Sequence, residues 1–160
     1  MEAFKKVDTN LRKTFSEVSG EGGHAWLEIE NLEDIFSNGI MLMVQFPGKP
    51  PRESTILSGG EKTMAGTVFL LALQSLKPSP FYLLDEVDAH LDSQNTDRLS
   101  KVLLSRSLES NQIIMVTLKD STVSKASLIY GVYPREGVSQ IIRYKHNNQQ
   151  ALAEVNKNSF

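Results

Sequence analysis

Phe81-Tyr82-Leu83-Leu84 is a run of four apolar residues that ends in two adjacent carboxylates, Asp85 and Glu86. It follows Pro78-Ser79-Pro80, a break that interrupts any helix, so the run reads as a fully buried parallel strand. Ligands of open parallel sheets gather beyond the carboxyl ends of the strands, where Asp85 and Glu86 emerge. Two neighbouring carboxylates are costly unless a cation or a proton is shared between them. The pair therefore points to a metal ion and a water to activate.

Size and charge narrow what can surround such a strand. A chain of 160 residues is one domain with room for a substantial core, and neither an internal repeat nor a composition shift divides it. The net charge of -2 supplies no global basic field, so any contact with nucleic acid has to be a local patch. The absence of cysteine excludes disulfides and thiolate metal sites. No apolar span near 18 residues and no signal-peptide pattern occurs, so a soluble intracellular protein is expected.

Residues 2 to about 18 carry Phe4, Val7, Leu11, Phe15 and Val18 at helical spacing, which predicts a helix with one apolar face. Residues 24–30 and 40–46 read as strands, separated by a loop with Asp34, Asn38 and Gly39. From Lys62 to Leu76 the chain is apolar on nearly every side, the pattern of a buried central helix. Asp92 or Ser93 is expected to cap a helix running to about Glu109. A short strand at 113–117, a helical turn at 120–126 and a hairpin across Arg135-Glu136-Gly137 complete the pattern. The Asn-, Gln- and Lys-rich tail from Lys145 is expected to be mobile.

Ser58-Gly59-Gly60-Glu61 opens the apolar helix and suits two mechanisms. In a capping box, Ser58 caps the helix and Glu61 reaches back to its amide. A capping box needs no paired glycines, however, and glycine in a first turn costs stability relative to alanine. Bare amides at a helix start also let a phosphate approach the backbone and the positive end of the helix dipole.

Leu57-Ser58-Gly59-Gly60-Glu61-Lys62 resembles the signature motif of ABC-type ATPases, and Phe81–Glu86 resembles their Walker B strand. Val87-Asp88-Ala89-His90-Leu91-Asp92 is similar to their D-loop, in the form found in the heads of SMC (structural maintenance of chromosomes) proteins of archaeal or prokaryotic type. Lys77–Phe81, Val116–Asp120 and Gly131–Val138 share the likeness, which covers roughly residues 2 to 145. No Gly-x-x-x-x-Gly-Lys-Ser/Thr run, the loop that grips β- and γ-phosphates, occurs anywhere in the chain. In the SMC family that loop lies in the N-terminal half of the head. The resemblance therefore implies an α/β fold, the C-terminal lobe of an ABC-type head, P-loop NTPase-like with a mostly parallel sheet and flanking helices, inactive alone. Residues 1–18 would be a coiled-coil root helix, 19–145 the lobe and 146–160 a polar tail.

The resemblance also implies roles. ATP and Mg²⁺ would be the cofactors, with Asp85 holding the metal through a water and Glu86 acting as general base. Ser58 and the amides of Gly59 and Gly60 would contact the γ-phosphate of ATP held by a second head, with Glu61 in the same nucleotide-binding motif and Lys62 adding charge to it. Asp88 would sit at the seam between heads, and Thr117 at the switch position, where transporters place histidine. The implied partners are the N-terminal lobe of the same head, a second head in an ATP-bridged homodimer, a kleisin subunit and DNA bound without sequence preference, with no membrane. The expected setting is the cytoplasm and nucleoid, and the expected work is chromosome condensation and segregation. Competing readings are the head of a zinc-hook repair ATPase or a transporter domain, both of which carry histidine near Thr117. Another is a module that mainly docks a kleisin, with the hairpin Leu128–Tyr144, carrying Tyr130, Val132 and Tyr133, as the candidate surface.

Overall fold

Helix α1 (Glu2–Ser19) presents Val7, Leu11, Phe15 and Val18 to the interior, none of them more than 3% exposed. The steps of three and four residues stack these side chains on one face, as the sequence predicts. The computed structural model describes residues 1–30, 39–108 and 111–146. The helix stops at Gly20, whose φ of 87° is accessible to glycine at little cost and whose amide donates to the Ser16 carbonyl. A side chain there would also collide with the Arg98 guanidinium, which donates to the Ser19 carbonyl at 2.8 Å.

Strand β1 (His24–Ile29) pairs antiparallel with β2 (Ile40–Gln45), from His24 opposite Gln45 to Ile29 opposite Ile40. Asp8 of α1 fixes this sheet to the helix by accepting the Leu27 amide at 2.7 Å. The loop expected around Asp34 and Asn38 lies outside the described residues. After β2, Phe46-Pro47-Gly48-Lys49 makes a turn with Gly48 at φ 72° and the Lys49 amide donating to the Phe46 carbonyl at 3.0 Å. Proline second and glycine third is the chemistry of a type II turn. A two-residue strand, β3 (Arg52–Glu53), and a 3₁₀ turn (Ser54–Ile56) lead into α2 (Gly59–Gln74).

Helices α1, α2 and α3 (Ser93–Leu108) close over one core that includes Leu11, Phe15, Val44, Met64, Val68 and Leu99. The Phe15 and Phe46 rings pack edge to face with centroids 5.4 Å apart. Arg106 of α3 ties the three helices together, donating to the Leu71 carbonyl at 3.0 Å and to the Thr14 hydroxyl at 3.1 Å. Asp92 caps α3 by accepting the Asn95 amide, as expected. The α2 helix differs from expectation: Met64, Ala65, Val68, Leu71 and Ala72 are buried, but Leu70, Leu73 and Leu76 lie exposed. An all-round apolar helix needs neighbours on every side, and the described residues cover only one.

Strand β4 (Phe81–Asp85) pairs in parallel with β5 (Gln112–Val116), from Phe81 opposite Gln112 to Asp85 opposite Val116. The expected fully buried strand is corrected here. Tyr82 is buried and Leu84 half-buried, whereas Phe81 and Leu83 are exposed, as are Ile114 and Val116 of β5. An apolar run does not reveal whether both faces are covered from within the same chain. The expected mostly parallel sheet is corrected too, because the described strands form a three-stranded antiparallel sheet, this parallel pair and a two-stranded antiparallel hairpin. Parallel neighbours need a crossover, and among pairing strands only β4 and β5 are joined by one that carries a helix.

After the short α4 (Asp120–Val123), β6 (Leu128–Arg135) and β7 (Val138–Lys145) form the expected hairpin. Glu136 at φ 52° and Gly137 at φ 79° make a two-residue turn with both central residues left-handed, which matches the twist of the strands. All of β7 is exposed. Lys145 is its last residue, and the tail expected to be mobile falls outside the described residues beyond His146. Among the described residues no helix is long and apolar enough to cross a membrane.

Candidate active site

At the carboxyl end of β4, Asp85 and Glu86 stand side by side, both exposed. Asp85 closes the ladder opposite Val116, and Glu86 turns sharply out of it at φ 48°. Its amide donates to the Val116 carbonyl at 2.9 Å, so β5 holds the turn in place. A left-handed conformation at a residue other than glycine costs roughly 1–3 kcal/mol and persists where surrounding contacts impose it. Here it aims a carboxylate away from the sheet at the point where ligands of parallel sheets gather.

Among the described residues no three His, Cys, Asp or Glu side chains come together as a metal cage. One strand-end carboxylate nevertheless fits Mg²⁺, which takes one or two protein carboxylates and completes its octahedron with waters and phosphate oxygens.

Ser58 and Glu61 form the capping box at the start of α2. One Glu61 oxygen accepts the Ser58 amide at 3.0 Å and the Ser58 hydroxyl at 2.8 Å, and the other accepts the Lys49 ammonium at 2.9 Å. The hydrogen bond from Lys49, followed by that from Ser58, lowers the Glu61 pKa to about 2. Lys49 is a residue that motif reading misses. Its type II turn is legible in Pro47-Gly48, but its reach to Glu61 is not. The Lys62 side chain is exposed.

The two glycines are not equivalent. Nothing approaches the place of a side chain at Gly59, whereas a Cβ on Gly60 would lie 2.6 Å from the His90 carbonyl oxygen. Gly60 is therefore explained within the chain, by close approach of α2 to the loop after β4. Gly60→Ala is expected to destabilise the fold by roughly 1–3 kcal/mol, the usual effect of overpacking. Gly59→Ala should be neutral or slightly stabilising. Urea denaturation of both variants checks the contrast.

Asp88 is 1% exposed, so its carboxylate points into the molecule. The hydroxyls of Thr117 and Thr122 donate to the same Asp88 oxygen at 2.7 and 2.6 Å, and Ser100 shares a hydrogen bond with Thr122. Thr117 also accepts the Lys119 amide at 3.0 Å. A single hydroxyl hydrogen is available, so Thr117 donates to a phosphate only by releasing Asp88. The structure thus joins Asp88 and Thr117 in one network, and it sets Gly60 against His90. Open clefts of about 390 and 320 Å³, lined by residues such as Arg12 and Trp26 or Arg98 and Gln94, include none of the motif residues.

A family model described as the RecF/RecN/SMC N terminal domain matches residues 4–140. The chain belongs to this family. The SMC chain is 40% identical over 152 residues to the chromosome partition protein Smc of Aquifex aeolicus, covering 95% of this chain and 13% of that protein. It is similar to the Smc head domain of Pyrococcus furiosus solved with the C-terminal domain of ScpA, at TM-score 0.83 and 36% identity over 96% of this chain and 38% of that one. Another solved chain is described as "Structural biochemistry of ATP-driven dimerization and DNA stimulated activation of SMC ATPases". Its TM-score is 0.82 at 32% identity, covering 100% of this chain and 96% of that one. The α/β fold is thus that of SMC heads.

The family description names the N-terminal domain, which overturns the reading of this chain as the C-terminal half of a head. That residues 1–160 contain no Gly-x-x-x-x-Gly-Lys-Ser/Thr run remains a fact of the sequence. The chain spans about 13% of the length of the curated Smc relatives it matches.

Proposed function

We propose that this SMC-family chain is part of an ATPase head in which Asp85 and Glu86 act on Mg²⁺-ATP. Asp85 holds the hydrated metal, and Glu86 takes a proton from the attacking water. Ser58, Gly59 and Gly60, with Glu61 and Lys62 beside them, face the terminal phosphate of ATP carried by a second head. Asp88 and Thr117 support the loop after β4 from within. The observation that carries the reading is the imposed left-handed backbone at Glu86, which directs an acidic side chain out of the end of a parallel pair. Phosphoryl transfer depends mainly on positioning and electrostatics, so a site divided between two bodies makes their association the switch. Residues 1–160 contain no Gly-x-x-x-x-Gly-Lys-Ser/Thr phosphate loop.

Chromosome association, DNA contact and a role in chromosome partition belong to the same reading, supported by likeness to proteins of those descriptions. Docking of a kleisin subunit on the exposed hairpin is a second reading. It is supported by the apolar Tyr130, Val132, Ile141 and Tyr144, together with a similar head solved bound to a domain of ScpA.

Ser58→Arg tests the first reading. A bulky cation at the exposed cap should abolish ATP-dependent association with a second head, in an assembly that includes a phosphate-loop segment. ATP binding by that assembly should persist. Light scattering with and without Mg²⁺-ATP reads the result, and undiminished association would refute the role of Ser58.

A further inference from the structure

Lys49 stands out because it is the one cation that meets the signature-like turn in hydrogen-bonding distance among the described contacts, and no motif includes it. Three observations define its place. Its backbone is set by the type II turn whose first residue, Phe46, is buried against Phe15. Its ammonium reaches one oxygen of Glu61 at 2.9 Å. The other Glu61 oxygen holds both the amide and the hydroxyl of Ser58. A line of contacts therefore runs from the core through the turn and the exposed ion pair to the residue proposed above to face a phosphate.

Charge makes the arrangement consequential. Glu61 alone would present a full negative charge beside Ser58, where a triphosphate has to approach. With Lys49 paired to it, the local charge is cancelled while the carboxylate orders Ser58, whose hydroxyl hydrogen Glu61 must release before Ser58 donates to a phosphate. We infer that Lys49 is a positioning residue for nucleotide-dependent head association, acting through Glu61 to hold Ser58 and to neutralise the charge beside it. This inference rests on the reading of Ser58 given under the proposed function. The lowered Glu61 pKa, with Lys49 as its largest cause, agrees with the geometry.

The test uses this chain together with a phosphate-loop-bearing segment of an SMC head, with Mg²⁺-ATP as the probe. Lys49→Met should raise the Glu61 titration, followed by carboxyl-carbon NMR, from about 2 toward the ordinary 4.5. The same variant should weaken ATP-dependent association by about two- to fivefold at low salt, the scale of an exposed ion pair. Lys49→Arg should restore most of the association. In a Glu61→Gln background, Lys49→Met should cause no further loss, because the charge it neutralised is gone.

An unmoved Glu61 titration would overturn the inference. So would an equal loss from Lys49→Met in the Glu61→Gln background, since Lys49 would then act without Glu61. If Ser58→Arg abolishes association but Lys49→Met leaves it intact, Lys49 alone is misassigned. If Ser58→Arg also leaves association intact, the reading of Ser58 fails and the inference falls with it.

Discussion

Glu86→Gln is expected to lower ATP hydrolysis by about 10²–10⁴-fold in a head assembled from this chain and a phosphate-loop segment, the usual worth of general-base catalysis. Glutamine keeps the size and most of the hydrogen-bonding shape of the side chain but cannot accept the proton of the attacking water. The backbone at φ 48° is held by the Val116 carbonyl and not by the carboxylate, so the turn should survive the change. Nucleotide binding should survive as well, because Asp85, the residue proposed to hold the metal, is unchanged. ATP-bridged dimers should accordingly accumulate and live longer than those of the unaltered protein. Asp85→Asn should behave differently, weakening Mg²⁺-ATP binding itself. Single-turnover hydrolysis measured beside the ATP-dependent monomer–dimer ratio separates the two. Hydrolysis of the Glu86→Gln protein at the original rate would remove Glu86 from the role of base.

Phe15→Ala should cost about 3–5 kcal/mol of folding stability, the range for truncating a buried aromatic side chain. Phe15 is 0% exposed, and its ring contact with Phe46 connects α1 to the strand and turn that carry Lys49. Removing the ring leaves a cavity in the core that also holds Leu11, Val44 and Val68, and a close-packed core refills it only in part. For a protein of this size the loss corresponds to a fall in melting temperature on the order of 10 °C. Calorimetry of the variant beside Glu2→Ala, at the exposed start of the same helix, is the check. A similar small shift in both would mean that α1 is an appendage and not a wall of the core.

Local pattern carried much of the result. The apolar spacing of α1, the proline break before β4, the Asp92 cap and the Glu136-Gly137 turn are written in neighbouring residues, because helix periodicity, turn dihedrals and caps are local properties. The motif residues Ser58, Gly59, Gly60, Asp85, Glu86 and Asp88 were legible for the same reason. Their surroundings were not. Whether Phe81 and Leu83 are covered depends on which elements pack against the β4–β5 pair, and no periodicity within five residues encodes that. The pairing of Asp88 with Thr117, the approach of Gly60 to His90 and the reach of Lys49 to Glu61 join residues 12 to 30 positions apart. Such contacts are set by how helices and strands dock. By itself, then, the sequence determined the elements and the chemistry available at their ends. Only the tertiary structure decided which side chains face outward and which are spent holding one another, because burial and hydrogen bonding belong to the packed assembly and not to any one segment.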